Sequence, residues 1–164
     1  MKKIFFLFCV VVTTISFAQK QKEELSVKDM LSERRFCFVA QTMLPQSGSS
    51  RMIDSYYDLK ITKDKIICSL PYFGRAYSVN IGSTTGPLDF TATDFSYDAK
   101  PTKKGNATEI KIVPAKTANT DVNTMILTVF DNGNATLQVT FNNRQAISYN
   151  GNVKALKAEK NTAD

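Results

Sequence analysis

The chain has 164 residues, a formal net charge of +6, three cysteines and no histidine. Without histidine, serine–histidine and cysteine–histidine nucleophile systems and the ordinary zinc and haem sites are excluded. The positive charge is mild and gathers towards the ends, at Lys20, Lys22, Lys154, Lys157 and Lys160, while the body alternates signs; this argues against the basic, aromatic-interleaved stripe of a nucleic-acid-binding surface.

Residues 1–18 follow the order of a cleavable secretory signal peptide: a basic start at Lys2 and Lys3, an apolar run from Ile4 to Val12, and small residues at Ser16 and Ala18 that place cleavage before Gln19. The run is too short for a membrane anchor, which takes about 20 mostly apolar residues. Cys9 lies inside the run rather than behind it, so a lipid attachment site is not expected. Removing 18 of the 164 residues leaves 146, enough for one domain with one core, and lowers the charge from +6 to +4. The expected location is the periplasm or beyond, with no membrane span after cleavage.

A polar lead (19–26) ends at Ser26, which with Asp29 forms a capping-box pattern. Val27, Met30 and Leu31 share one helical face and predict a short helix over 27–34, packed against a sheet or barrel end. From Phe36 the period changes to two, marking a strand, and Tyr57–Ile61 and Ile66–Leu70 read as a hairpin across Thr62–Lys65. Shorter runs follow at Leu88–Phe90, Phe95–Tyr97 and Ile110–Val113. The clearest signal is the last third, where Met125–Phe130, Ala135–Phe141 and Gln145–Tyr149 form a meander around Asn132-Gly133 and Asn142–Arg144. The predicted fold is all-β: a single antiparallel barrel or half-barrel of about eight short strands over 27–153, with the short N-terminal helix packed against it and a disordered lysine-rich tail over 154–164.

Export would allow a disulfide between Cys37 and Cys68, the two cysteines that survive cleavage; two buried free thiols are the alternative, and no Cys-x-x-Cys points to redox chemistry. No phosphate-cradling glycine loop or EF-hand spacing occurs, and no metal or cofactor site is expected. Asp94 and Asp98 bracket Phe95 and Tyr97 and could supply the two carboxylates of a hydrolase, although acids alternating along a strand are usually its wet face. Asn106-Ala107-Thr108 and Asn134-Ala135-Thr136 match the glycosylation acceptor, at turns where asparagine is common anyway.

Two segments combine rings with guanidinium groups. Leu70–Tyr77 (LPYFGRAY) offers Tyr72, Phe73, Arg75 and Tyr77, and Asn143–Gly151 (NRQAISYNG) offers Arg144 and Tyr149; these six are the candidate ligand-binding residues, with barrel closure as their structural alternative. No catalytic residue is assigned.

These same segments, with NGNATLQV at 132–139, resemble the family called domain of unknown function 4251, found in exported proteins of Gram-negative bacteria. The resemblance covers about 30–153. It implies a secreted single-domain β protein and transfers no activity to any residue; Cys37 and Cys68 lie outside its pattern. The expected function is non-enzymatic binding of a small amphipathic ligand or envelope component. A structural or inhibitory protein–protein module is the alternative, and a histidine-free carboxylate hydrolase the third reading.

Overall fold

The computed structural model describes residues 26–54, 56–75, 87–118 and 120–156. The leader read at 1–18, the lead up to residue 25, Tyr77 and the chain from 157 lie outside the described residues. Helix α1 spans Val27–Ser32, and its start is capped as the sequence suggests: Ser26 Oγ accepts the Asp29 N–H at 3.2 Å, and the Asp29 carboxylate accepts the Ser26 hydroxyl at 2.6 Å. It stops before the predicted residue 34 because Arg34 turns left-handed, at φ 52°. Arg34 N–H then donates to Leu31 O and Arg35 N–H to Met30 O, the bonds of a Schellman stop.

Ten strands follow: β1 Phe36–Pro45, β2 Arg51–Met52, β3 Asp58–Ile61, β4 Ile66–Leu70, β5 Leu88–Ala92, β6 Phe95–Pro101, β7 Ala107–Pro114, β8 Val122–Phe130, β9 Asn134–Phe141 and β10 Ile147–Ala155. A single 3-10 turn, Lys116–Ala118, precedes β8. All pairings are antiparallel, in the order β5-β4-β3-β1-β10-β9-β8-β7-β6, with β2 paired to β1 outside that path. Nine strands in antiparallel succession give the first and the last the same direction. Only Thr93 and Asp94 separate β5 from β6, so these two edge strands are halves of one strand bent at that corner. The sheet curls until its edges meet there, nearly closing a barrel. Asp94 O accepts the Ala115 N–H at 2.9 Å and fixes the bend. Beyond it the 3-10 turn lies against β5, and the Tyr97 hydroxyl of β6 donates to Leu31 O of α1 at 3.1 Å.

Period-two alternation fills the interior. Burial alternates strictly along β4 and β5, and Phe36, Phe38, Leu59, Ile61, Ile110, Leu127, Leu137 and Tyr149 are among its fully buried side chains. No charged residue is buried among the described residues. Met30 and Leu31 bring α1 into this core. In the Asn132-Gly133 hairpin only Gly133 is left-handed, at φ 84°, and its N–H returns to Phe130 O at 2.9 Å; this is the bulged three-residue form rather than the two-residue turn that Asn-Gly most often signals.

Of the two states left open for the cysteines the free, buried one is found, and one expectation needs correction. Cys37 and Cys68 are both free, and they cannot approach each other: Phe38, Leu59 and Cys68 stand in register on the inner face, whereas Cys37, Lys60 and Ile67 share the outer one, with β3 between the cysteines. Burial, then the neighbouring Asp58 carboxylate, push the Cys37 thiol from 9.0 up to about 12, and burial raises Cys68 as well. Lys154 and Ala155, expected in the tail, instead continue β10 opposite Cys37 and Phe36.

The β1–β10 register slips between Ala40 and Thr42, which opposes Gln41 to no residue of β10 and keeps both Ala40 and Met43 buried. Gly151, opposite Ala40, is the residue the bulge presses on; a Cβ there would stand 2.0 Å from Val39 O, a backbone atom that cannot swing away. Gly151→Ala is therefore expected to destabilise the fold by about 2 kcal/mol or more, read as a lower urea midpoint. In the folded protein neither Cys37 nor Cys68 should react with an aromatic disulfide reagent near neutral pH, and both should react on unfolding.

Candidate functional site

The two segments singled out by sequence meet at the barrel end opposite α1. Pro71 terminates β4, and the chain after it lies against the connection from β9 to β10. Arg75 O accepts the Gln145 N–H at 3.1 Å, Gln145 Oε1 accepts the Arg75 N–H at 3.2 Å, and Gln145 O accepts the Tyr72 hydroxyl at 3.1 Å. Gly74 makes that last bond feasible, since a Cβ on it would lie 2.3 Å from the Tyr72 hydroxyl oxygen.

Tyr149 enters the core from the start of β10. It has no exposed surface, and its hydroxyl donates to Pro71 O at 2.7 Å. Burial raises its pKa above the ordinary tyrosine value. Arg144 sits between two rings, its guanidinium carbon 4.5 Å from the Tyr72 centroid and 4.6 Å from that of Phe141. Those rings meet edge to face at 5.3 Å. The guanidinium also grips Asp121, just before β8, with both carboxylate oxygens engaged and Nε–Oδ2 at 2.6 Å. Its side chain is only 10% exposed. A planar guanidinium suits this place because it stacks on rings and forks onto a carboxylate at once.

Tyr72, Arg144 and Tyr149 are thus brought together, but as the closure of the barrel end. Phe73 and Arg75 stand outside it, exposed. The Phe73 ring is 51% exposed and carries the guanidinium of Arg51, 4.4 Å from its centroid. Tyr77 lies outside the described residues. The six candidates therefore do not form one exposed face. Asp94 and Asp98 are both exposed, and Asp98 is paired with Lys100 at 2.5 Å along the same strand.

Sequence reasoning did not reach Asp121, Phe141 and Gln145, the partners of the closure, nor Arg51, Met52 and Tyr56. Met52 is 89% exposed and Tyr56 85%. Their signal was present, as large apolar side chains in an otherwise polar connection between strands, but no period marked it.

Tyr149→Phe would leave the Pro71 carbonyl without its donor in a dry setting and is expected to cost about 1–3 kcal/mol, with unchanged denaturant slope. Alkaline pH offers a second check. Burial raises Tyr97 from 10.0 to about 12 and also raises Tyr149, Cys37 and Cys68. Above their ordinary values the unfolded chain releases these protons first, so stability should hold through neutral pH and fall as pH rises from 9.0 towards about 12. Urea midpoints across that range measure it.

The profile of a family described as "Domain of unknown function (DUF4251)" matches residues 18–153. The fold is similar to a crystal structure of a DUF4251 family protein from Bacteroides eggerthii DSM 20697, with TM-score 0.53 and 14% identity, covering 76% of this chain and 82% of that one. No curated protein matches the chain.

Proposed function

The chain belongs to the DUF4251 family, and from that premise and the geometry above we propose that it is an exported, non-enzymatic module whose partner is another protein of the cell envelope. The export part rests on the order of residues 1–18. The binding part rests on one observation: Met52, Tyr56 and Phe73 are 89%, 85% and 51% exposed, with the Arg51 guanidinium stacked on Phe73. Elsewhere in the described residues large apolar side chains are withdrawn from the surface, apart from Phe130 at 37%.

Arg51 and Met52 form β2, which flanks the second half of β1, and Tyr56 lies on the connection to β3. Ile53 N–H donates to Gln41 O at 3.0 Å and Ala40 N–H to Tyr57 O at 3.0 Å, so both ends of that connection are pinned beside the β1 bulge. Phe73 joins the strip through Arg51. Tyr, Phe, Met and Arg are the residues over-represented where proteins meet. A small amphipathic ligand would ask instead for a concave, mostly apolar lining, and the rings that could have furnished one, Tyr72 and Tyr149, are spent on closing the barrel. A protein partner is therefore the better reading.

Native mass spectrometry of the protein purified from its own envelope fraction tests this. A protein-sized added mass is expected, and it should disappear when Met52→Ser and Phe73→Ser are combined in a variant that unfolds at the wild-type midpoint. A small-molecule mass retained by that variant, or no added mass in the wild type, would overturn the proposal.

A further inference from the structure

At the α1 end of the barrel, far along the strands from the closure just described, a groove of about 280 Å³ runs between the end of the helix and the β3–β4 turn. Glu33, Arg34 and Arg35 line one side, and Thr62, Lys63 and Asp64 the other. The groove is partly open to solvent and has room for a small molecule. Two cations and a carboxylate on the helix side face one cation and one carboxylate on the turn side.

These five charged side chains enter no ion pair among the described residues, where the pairs are Lys28–Asp131, Lys60–Asp58, Lys100–Asp98 and Arg144–Asp121. Their charges are not consumed by one another. At the helix end Met30 O and Leu31 O are capped by the Arg35 and Arg34 N–H groups. Thr62 Oγ1 is committed to the turn, accepting the Lys65 N–H at 3.0 Å, which holds Lys63 and Asp64 in a fixed loop.

Arg34 is the unusual member. A residue with a Cβ at φ 52° occupies a conformation that glycine or asparagine takes more readily. The side chain that glycine would lack lies over Tyr97, its guanidinium carbon 4.7 Å from the ring centroid, and Tyr97 is itself anchored to Leu31 O. Arg34 thus lines the groove with its guanidinium anchored on a ring beside it, an arrangement that lowers the ordering cost of this side chain.

From the groove, its net positive lining and its cations outside every ion pair of the described residues, we infer a binding site for a small anion bearing a carboxylate or phosphate group, with Arg34 and Arg35 offering the fork that such oxygens fit and Lys63 the opposing point charge. Glu33 and Asp64 restrain its affinity and favour ligands that carry a donor besides the anionic group. The site is separate from the Arg51–Phe73 strip and does not depend on the function proposed for it.

Amide chemical shifts of the protein titrated with inorganic phosphate and, separately, with succinate distinguish the two anion sources. Saturating shifts at Arg34, Arg35, Lys63 and Asp64 are expected with at least one of them, at about 0.15 M ionic strength where long-range surface attraction is screened. Arg35→Ala with Lys63→Ala should weaken binding at least about tenfold, and Glu33→Gln with Asp64→Asn should strengthen it about threefold. Arg34→Gly suits the left-handed backbone and gives a second, fold-preserving variant that should also bind more weakly. Shifts that stay linear with both anions, or that saturate equally in the Arg35→Ala, Lys63→Ala variant, would overturn the inference.

Discussion

The pairing of β1 with β10 is the constraint on which the rest of this structure depends. It joins the N-terminal half of the sheet, β5-β4-β3-β1, to the C-terminal meander, β10 to β6, through strands from opposite ends of the described chain. The price of bringing such distant segments together is loop-closure entropy, which only a long ladder of backbone bonds and a shared apolar face can offset. The bulge at Gln41 and the bare Cα of Gly151 let the two strands come close while keeping Ala40 and Met43 inward. Because the chain itself joins β5 to β6 at Thr93-Asp94, forming this seam nearly closes the barrel.

Closure then divides the notable side chains into two groups with different work. At the end opposite α1, the interior is sealed by polar atoms that satisfy each other: the Tyr149 hydroxyl on Pro71 O, the Tyr72 hydroxyl on Gln145 O, and Arg144 forked onto Asp121 between two rings. Such a seal commits these polar groups to one another rather than to a ligand. The strip formed by Arg51, Met52, Tyr56 and Phe73 lies outside the seal and carries apolar surface that folding has not used. The proposed partner surface and the seal are neighbours because Tyr72 and Phe73 are adjacent residues beyond the end of β4, the first buried and the second exposed.

Features with a local cause were legible in the sequence. Ser26, Asp29, Met30 and Leu31 specify α1 within a few residues, and period two with turn residues marks every strand except β2. Those with a distant cause were not. The two residues of β2 have no period and exist as a strand only because Thr42 and Met43 offer a partner. Lys154 and Ala155 look like tail until Cys37 and Phe36 pair with them. Whether two cysteines can meet depends on the faces they occupy relative to β3, a matter of register that neither run of residues contains. The gathering of Tyr72, Arg144 and Tyr149 was legible from their ring and guanidinium chemistry, but their burial was not, because it follows from Gly74, Gln145 and Asp121. Two of the segments that resemble the family, 70–77 and 143–151, are the ones that interlock at the seal.

The division between seal and exposed strip is the central claim, and hydroxyl-radical footprinting of the free protein and of its complex tests it most directly. In the free protein Met52, Tyr56 and Phe73 should oxidise quickly and Tyr72 and Tyr149 slowly, and complex formation should protect the first three while leaving the two tyrosines unchanged. Rapid oxidation of Tyr149 or Tyr72 in the free protein, suppressed by a bound small molecule while Phe73 stays reactive, would contradict it.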